Sequence, residues 1–193
     1  MQLVDLPPVA TWQHTGVRTG YEVLFVQRSA AGVRLRGVTT AMEDGAAWSV
    51  GYRIDLDDGW RTQRVETVNS TADGERRVSI RRFADDRWSV DGVPRPDLDG
   101  CSDIDLESSS VTNTLPVHRL RFDRGRPVSA PAAFVWANDL RVEREEQLYT
   151  LTSETTDALG FHYESPTFDF RCELTFDAAG LIISYPGIAV RHF

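Results

Sequence analysis

Two aspartates set two residues apart, Asp103 and Asp105, stand near the start of the one stretch of this chain whose residue types could do chemistry: GCSDIDLESSSVTNTLPVHRL, residues 100–120. On an extended segment such a pair points to one face, with Cα atoms about 6.5 to 7 Å apart. Two carboxylates so placed can share an oxygen-preferring metal ion, or divide into a general acid and a general base acting on a sugar or an ester. They can equally be charges on the wet side of a strand whose dry side is Ile104 and Leu106, and D-x-D is too short a pattern to decide. The tract that follows carries short hydroxyl and amide side chains, which serve turns most often and can also meet sugar hydroxyls. Asn113 stands out there because it donates and accepts in one fixed geometry.

Other constellations fall away on inspection. DLDDGW at residues 55–60 begins like a calcium loop, but Gly59 and Trp60 stand where an oxygen ligand and the glycine are required, so it reads as a hairpin turn. His14, His118, His162 and His192 form no H-x-H or H-E-x-x-H pair. No nucleophile elbow, phosphate loop or dinucleotide fingerprint is present. Cys101 has no signature pairing it with a histidine, and Cys172 sits on an apolar strand face as core. The sequence therefore names no catalytic residue, no metal ligands and no cofactor, and leans away from an enzyme.

Composition narrows the partners. The 193 residues include 21 basic and 29 acidic ones, for a net charge of −8, which opposes general nucleic-acid binding. The basic cluster Arg76, Arg77, Arg81 and Arg82 reads as a solvated strand face flanked by acids. Nothing approaches the ~18 consecutive apolar residues of a membrane span. Two cysteines are too few for a disulfide framework, and the start shows no basic and apolar leader. Both observations point to the cytoplasm.

The elements that must position Asp103 and Asp105 are strands. In WSVGYRIDL, Trp48, Val50, Tyr52, Ile54 and Leu56 alternate with polar or small residues, and in FDFRCELTF so do Phe168, Phe170, Cys172, Leu174 and Phe176. YEVLFVQR and VRLRGVTT follow the rule less strictly. Turn chemistry separates the runs at Ala31-Gly32, Asp58-Gly59, Asp73-Gly74, Asp91-Gly92, 123–125 and 177–180, at intervals that suit antiparallel hairpins. The spacing predicts one β-rich domain over residues 1–193. The best helix candidate runs from about Thr112 to Leu120, capped by Ser110 or Thr112, with a turn followed by a strand VHRLRF as the alternative. A many-stranded sheet with one dry face must close or wrap around something, and such a cup can hold a small ligand at its open end. Trp12, Trp48, Trp60, Trp88, Trp136, Tyr149 and Tyr185 are dispersed along the chain; most should fill the core, and some could wall a ligand cavity.

Taken in order, WSVDGVPRPDLDGCSDIDLESSSVTNTLPVHRL, EEQLYT and DAAGLIISYPGIAVR resemble a bacterial family known as putative glycolipid-binding, long catalogued as a domain of unknown function. GCSDIDL, TNTLP with Arg119-Leu120, QLYT and GLIISYPG carry the likeness, which extends from Trp12 and Glu22 to Arg191. It implies a spiral β-roll, a many-stranded antiparallel sheet wound around a single helix, and a homodimer. The chain departs from the family pattern at Ser109-Ser110-Val111, where Thr-Pro is expected, and at His118, where a second arginine is expected. The reading that follows is non-catalytic binding of a glycolipid or other amphipathic molecule. Asp103, Asp105, Asn113 and Arg119 would meet its polar end, and Trp88, Tyr149 and Tyr185 would line the rest. The alternatives are a sugar- or ester-processing enzyme using Asp103 and Asp105, or an interaction homodimer with no lipid ligand.

Overall fold

A computed structural model describes residues 3–30 and 32–192. Seventeen strands occur among them: β1 (Val9–His14), β2 (Thr19–Ser29), β3 (Gly32–Glu43), β4 (Ala46–Leu56), β5 (Thr62–Thr71), β6 (Gly74–Arg82), β7 (Trp88–Val90), β8 (Val93–Pro94) and β9 (Asp103–Leu106) in the first half. After the helix α1 (Thr114–Arg119) come β10 (Pro127–Ser129), β11 (Ala132–Val135), β12 (Val142–Glu145), β13 (Leu148–Glu154), β14 (Ala158–Ser165), β15 (Phe170–Asp177), β16 (Ile182–Tyr185) and β17 (Ala189–His192).

Fourteen strands form one antiparallel sheet in the order β10-β13-β14-β15-β16-β17-β1-β2-β3-β4-β5-β6-β7-β8, curled without closing. The chain's two ends meet in its middle, where β1 pairs with both β17 and β2. Both free edges end in very short strands carrying a proline, Pro94 and Pro127, which cannot donate to a further strand. Gly45 and Gly92, with Asp44 and Asp91 before them also at positive φ, turn the β3–β4 and β7–β8 hairpins tightly. Of the turns expected from sequence, Ala31 lies outside the described residues. At 57–61 the Asp57 carboxylate accepts the Gly59 and Arg61 amides at 2.8 and 2.9 Å, a turn rather than an ion loop.

The sheet wraps an insert made of a three-stranded sheet, β12-β11-β9, together with the turn and short helix at 107–120. Strands β9 and β11 run parallel and every residue in both is buried. A strand covered on both faces has no wet side, which corrects the expectation that Asp103 and Asp105 could be outward charges. The helix is six residues long, shorter than expected, with Asn113 rather than Ser110 or Thr112 at its N-cap position and no strand at VHRLRF. Apolar residues of both sheets and α1 form one continuous core, with Trp12, Trp88, Tyr149, Tyr163, Phe161 and Phe176 its largest fully buried members.

The inner face of the large sheet is not uniformly apolar. Glu22 on β2, Thr39 on β3, Tyr52 on β4, and Thr62 and Asn69 on β5 are all buried, and they secure the insert. Thr39 Oγ1 donates to the Ser108 carbonyl at 2.7 Å, Thr62 Oγ1 accepts the Ile104 amide at 3.0 Å, and Asn69 donates to the Ala137 carbonyl at 2.6 Å. The backbone of a short buried insert needs such partners, because unpaired buried amides and carbonyls are costly. Glu22 accepts from the Tyr52 hydroxyl at 2.8 Å, the Ser110 amide at 2.8 Å and the Ser109 hydroxyl. Gly37, directly opposite Tyr52 in the register, makes this possible: a Cβ there would lie 2.2 Å from the phenol oxygen.

Candidate functional site

The aspartate pair divides between two environments. Asp103 receives both Nε and Nη2 of Arg119, at 3.0 and 2.6 Å, and is 1% exposed. Burial pushes its pKa up and the guanidinium opposes this. The bidentate geometry satisfies both carboxylate oxygens in the ionised form, which is the state we assign. This pair bolts β9 to α1. Asp105 faces a different group, Glu145 at the end of β12. Gln147 Nε2 donates to both, at 2.5 Å to Asp105 and 2.8 Å to Glu145, so one amide bridges two carboxyls. Thr112 Oγ1 donates to Asp105 at 2.6 Å, and Ser165 and Tyr163 donate to Glu145 at 2.7 and 3.2 Å. Burial, then repulsion from Asp105, pushes Glu145 up to about 8; burial also raises Asp105. Two buried carboxyls this close hold a proton between them at neutral pH.

The pair forms the polar end of a cavity of about 400 Å³ between the insert and strands β14–β16. That volume falls in the usual range for small-molecule sites. Asn113, Ser109 and Ser165 complete the polar lining; Phe134, Trp136, Phe168, Phe170 and Tyr185 supply aromatic walls. Phe134, Trp136 and Phe168 brace one another, with ring centres 4.8 to 5.6 Å apart. Arg18, Glu43 and Glu107 lie at the more exposed end, Arg18 5% exposed and stacked 5.1 Å from the centre of the Trp48 ring. Such a mixture of flat apolar walls with a few fixed polar groups suits an amphipathic ligand.

A broader hollow of about 720 Å³ on the sheet exterior is lined by Asp55, Arg61, Arg64, Arg81, Arg82 and Asp86 among others. Its charges are largely taken up in surface ion pairs: Arg82 with Asp86, Arg64 with Glu66 at 2.6 Å, and Asp55 with Arg34 and Arg53 at 2.6 and 2.9 Å. It lacks a buried polar cluster, and the cavity beside Asp105 and Glu145 is the better candidate.

Of the residues singled out from sequence, Asp105, Asn113 and Tyr185 line the cavity. Asp103 and Arg119 pair with each other behind it. Trp88 is packed in the core at β7, its indole N–H on the Cys101 carbonyl at 3.3 Å. Tyr149 is fully buried and donates to Asn113 Oδ1 at 2.8 Å, so it orients Asn113 rather than forming a wall. Glu145, Gln147, Arg18 and most of the aromatic walls were not anticipated. Glu145, Gln147 and Tyr149 alternate along EEQLYT, where the end of β12 leads into β13, and that period-two spacing was the available signal. Among the described residues no group of three or more His, Cys, Asp or Glu is placed to hold a metal ion. Both cysteines are free thiols, and no helix among the described residues is long and apolar enough to cross a membrane.

Sheet order and cavity define an open, rolled antiparallel sheet with an amphipathic cleft. The chain belongs to the family described as "Putative glycolipid-binding", whose profile matches residues 9–191. The crystal structure of a DUF1089 family protein from Pseudomonas aeruginosa is similar, with a TM-score of 0.74 and 25% identity over 89% of this chain and 92% of that one. A beta-barrel-like protein of a domain of unknown function, DUF1849, from Brucella abortus shares the fold at a TM-score of 0.55 and 12% identity, over 98% and 95% of the two chains. None of the curated proteins compared with the chain matches it.

Proposed function

We propose that the cavity binds the polar head and adjoining chain of a glycolipid-like amphipathic molecule, without catalysis. The observation that carries this reading is the joining, in one cleft, of the Gln147-bridged Asp105–Glu145 pair to the aromatic walls of Trp136, Phe168, Phe170 and Tyr185. Sugar hydroxyls would donate to the carboxyls and accept from Asn113, while ring faces and acyl methylenes pack on the aromatics. The family description supports the same ligand class. The buried Asp103–Arg119 pair weighs against an acid/base role for Asp103 with Asp105, since Asp103 is sealed and neutralised.

Native mass spectrometry of the washed protein, with organic extraction of anything bound, tests the proposal. A stoichiometric lipid or glycolipid, lost when Trp136 and Phe168 are both changed to alanine, is the expected result. A bare protein mass together with no heat on titration with octyl β-glucoside would sink it. The homodimer expected from the resemblance is part of the same reading. Val9, Tyr21, Phe25, Val38 and Met42, about half exposed on one outer sheet face, support it, and light scattering decides it.

A further inference from the structure

The polar atoms of the cavity are unevenly divided between donors and acceptors. Two carboxyl groups offer about eight lone-pair sites. Protein donors fill five of them: Thr112 and Gln147 on Asp105, and Gln147, Ser165 and Tyr163 on Glu145. A proton shared by the pair occupies two more at most, so an acceptor remains for the occupant to fill. Asn113 supplies a donor through its amide nitrogen, its oxygen being taken by Tyr149.

Charge points the same way. Asp105, Glu145, Glu43 and Glu107 line the cavity against a single guanidinium, Arg18. That cation stands between Glu43 at 3.6 Å and Glu107 at 3.5 Å, and its Nη1 donates to the Glu107 carbonyl at 3.4 Å, while its buried Nε has no hydrogen-bond partner. A phosphate, sulfate or carboxylate head would bring further acceptors and another negative charge into a space with one neutralised arginine. Repulsion grows toward the Asp105–Glu145 end, where burial makes water scarcest.

We propose that the pocket selects an uncharged head group rich in O–H donors, a neutral sugar, and excludes anionic amphiphiles, with the Asp105–Glu145 pair and the Glu43–Arg18–Glu107 cluster as the filter. This rests on the reading of the cavity as an amphiphile site. The carboxyls attract a cation as they repel an anion, but a cationic head without O–H or N–H groups leaves the open acceptor unpaired and is the poorer occupant.

Calorimetric titration of the full chain with three amphiphiles of equal chain length, each below its micelle concentration, separates these features. Octyl β-glucoside offers neutral donors, octyl phosphate an anionic acceptor, and octyltrimethylammonium a cation without donors. The glucoside is expected to bind at least ten times more tightly than either of the others. Octyl phosphate or the ammonium compound binding within threefold of the glucoside overturns the selection and leaves the amphiphile site standing. Binding of none of the three overturns the amphiphile site itself, and the selection with it. Glu43→Gln, at the exposed end of the cavity, releases Arg18 and is expected to raise octyl phosphate affinity at least fivefold. Glu145→Gln should narrow the discrimination; if that buried variant does not fold, the Glu43→Gln result decides, and an unchanged phosphate affinity there counts against the filter.

Discussion

The Arg119 guanidinium meets both oxygens of Asp103 where water hardly reaches either, with side chains 11% and 2% exposed. Replacing that pair by apolar groups of similar size could be neutral, but removing only one partner leaves a buried charge with no counter-ion. Arg119→Met should therefore cost about 3 to 5 kcal/mol, read as a lower urea midpoint with an unchanged slope. Asp103→Asn in the same background should recover part of it. Asp105→Asn is expected to behave differently: the local charge falls, one of the two donors Thr112 and Gln147 keeps an oxygen to donate to, and stability changes by less than Arg119→Met while glucoside binding weakens. A double-mutant comparison of urea midpoint against calorimetric affinity checks this division. The sequence carried the two aspartates and Arg119 plainly, but their division was not legible in it. Which carboxylate meets Arg119 and which meets Glu145 depends on the parallel pairing of β9 with β11, and on β12 lying beyond it, contacts between segments about 30 to 40 residues apart.

Strands β2 and β4 show why some elements were easier to read than others. On β4, Val50, Tyr52, Ile54 and Leu56 are buried and the intervening residues are only partly so, so period two was plain. On β2 the outward residues Tyr21 and Phe25 are apolar and half exposed, while the inward Glu22 is charged and fully buried, which blurs the alternation. Glu22 is inward because the Ser109–Ser110 turn needs an acceptor beneath it, a demand set by the insert and not by the strand. The helix starts later than its sequence pattern suggests for a similar reason: Thr112 is spent on Asp105 and cannot serve as a cap. The same interlock gives a test at the level of the sheet. Gly37→Ala places a methyl group against the Tyr52 phenol, which must then leave Glu22. Strain of this kind typically costs about 1 to 3 kcal/mol. Because Ser109 lines the pocket, glucoside affinity should fall with it, whereas Gly51→Ala on neighbouring β4, where a Cβ meets nothing within 4 Å, should alter neither measurement.

Across the whole molecule the buried ionisable groups set a stability profile that is not centred on neutral pH. Burial raises Glu22 from 4.5 to about 7 and, with the charge on Asp105, raises Glu145 from 4.5 to about 8. In that interval the folded protein holds protons that the unfolded chain has released, so stability falls as pH rises through it. Burial lowers His14 and His118 from 6.5 to about 4, with the charge of Arg18 adding to the effect on His14. Between pH 4 and 6.5 the unfolded chain binds those protons and the folded one does not, so this contribution rises with pH. The two trends oppose each other up to about pH 6.5, above which only the carboxyl contribution is left. Below pH 4 the lowered carboxylates Asp55 and Asp97, held by arginines, also lose their contribution. The protein should therefore be most stable in mildly acidic solution and lose stability between pH 6.5 and 8.5, and urea midpoints measured at half-unit intervals would show it. Glu22 alone contributes about 3 kcal/mol over the whole span from pH 4.5 to 7, of which about 1 kcal/mol falls above pH 6.5. Glu145→Gln should flatten the upper limb near pH 8 while leaving the part from Glu22 below pH 7, whereas a midpoint that climbs steadily from pH 6 to 9 would mean that both carboxyls are ionised within the fold. A neutral sugar that donates its hydroxyls to the Asp105–Glu145 pair favours the ionised carboxyls and should make this dependence shallower, so octyl β-glucoside should raise the urea midpoint more at pH 8.5 than at pH 6.5.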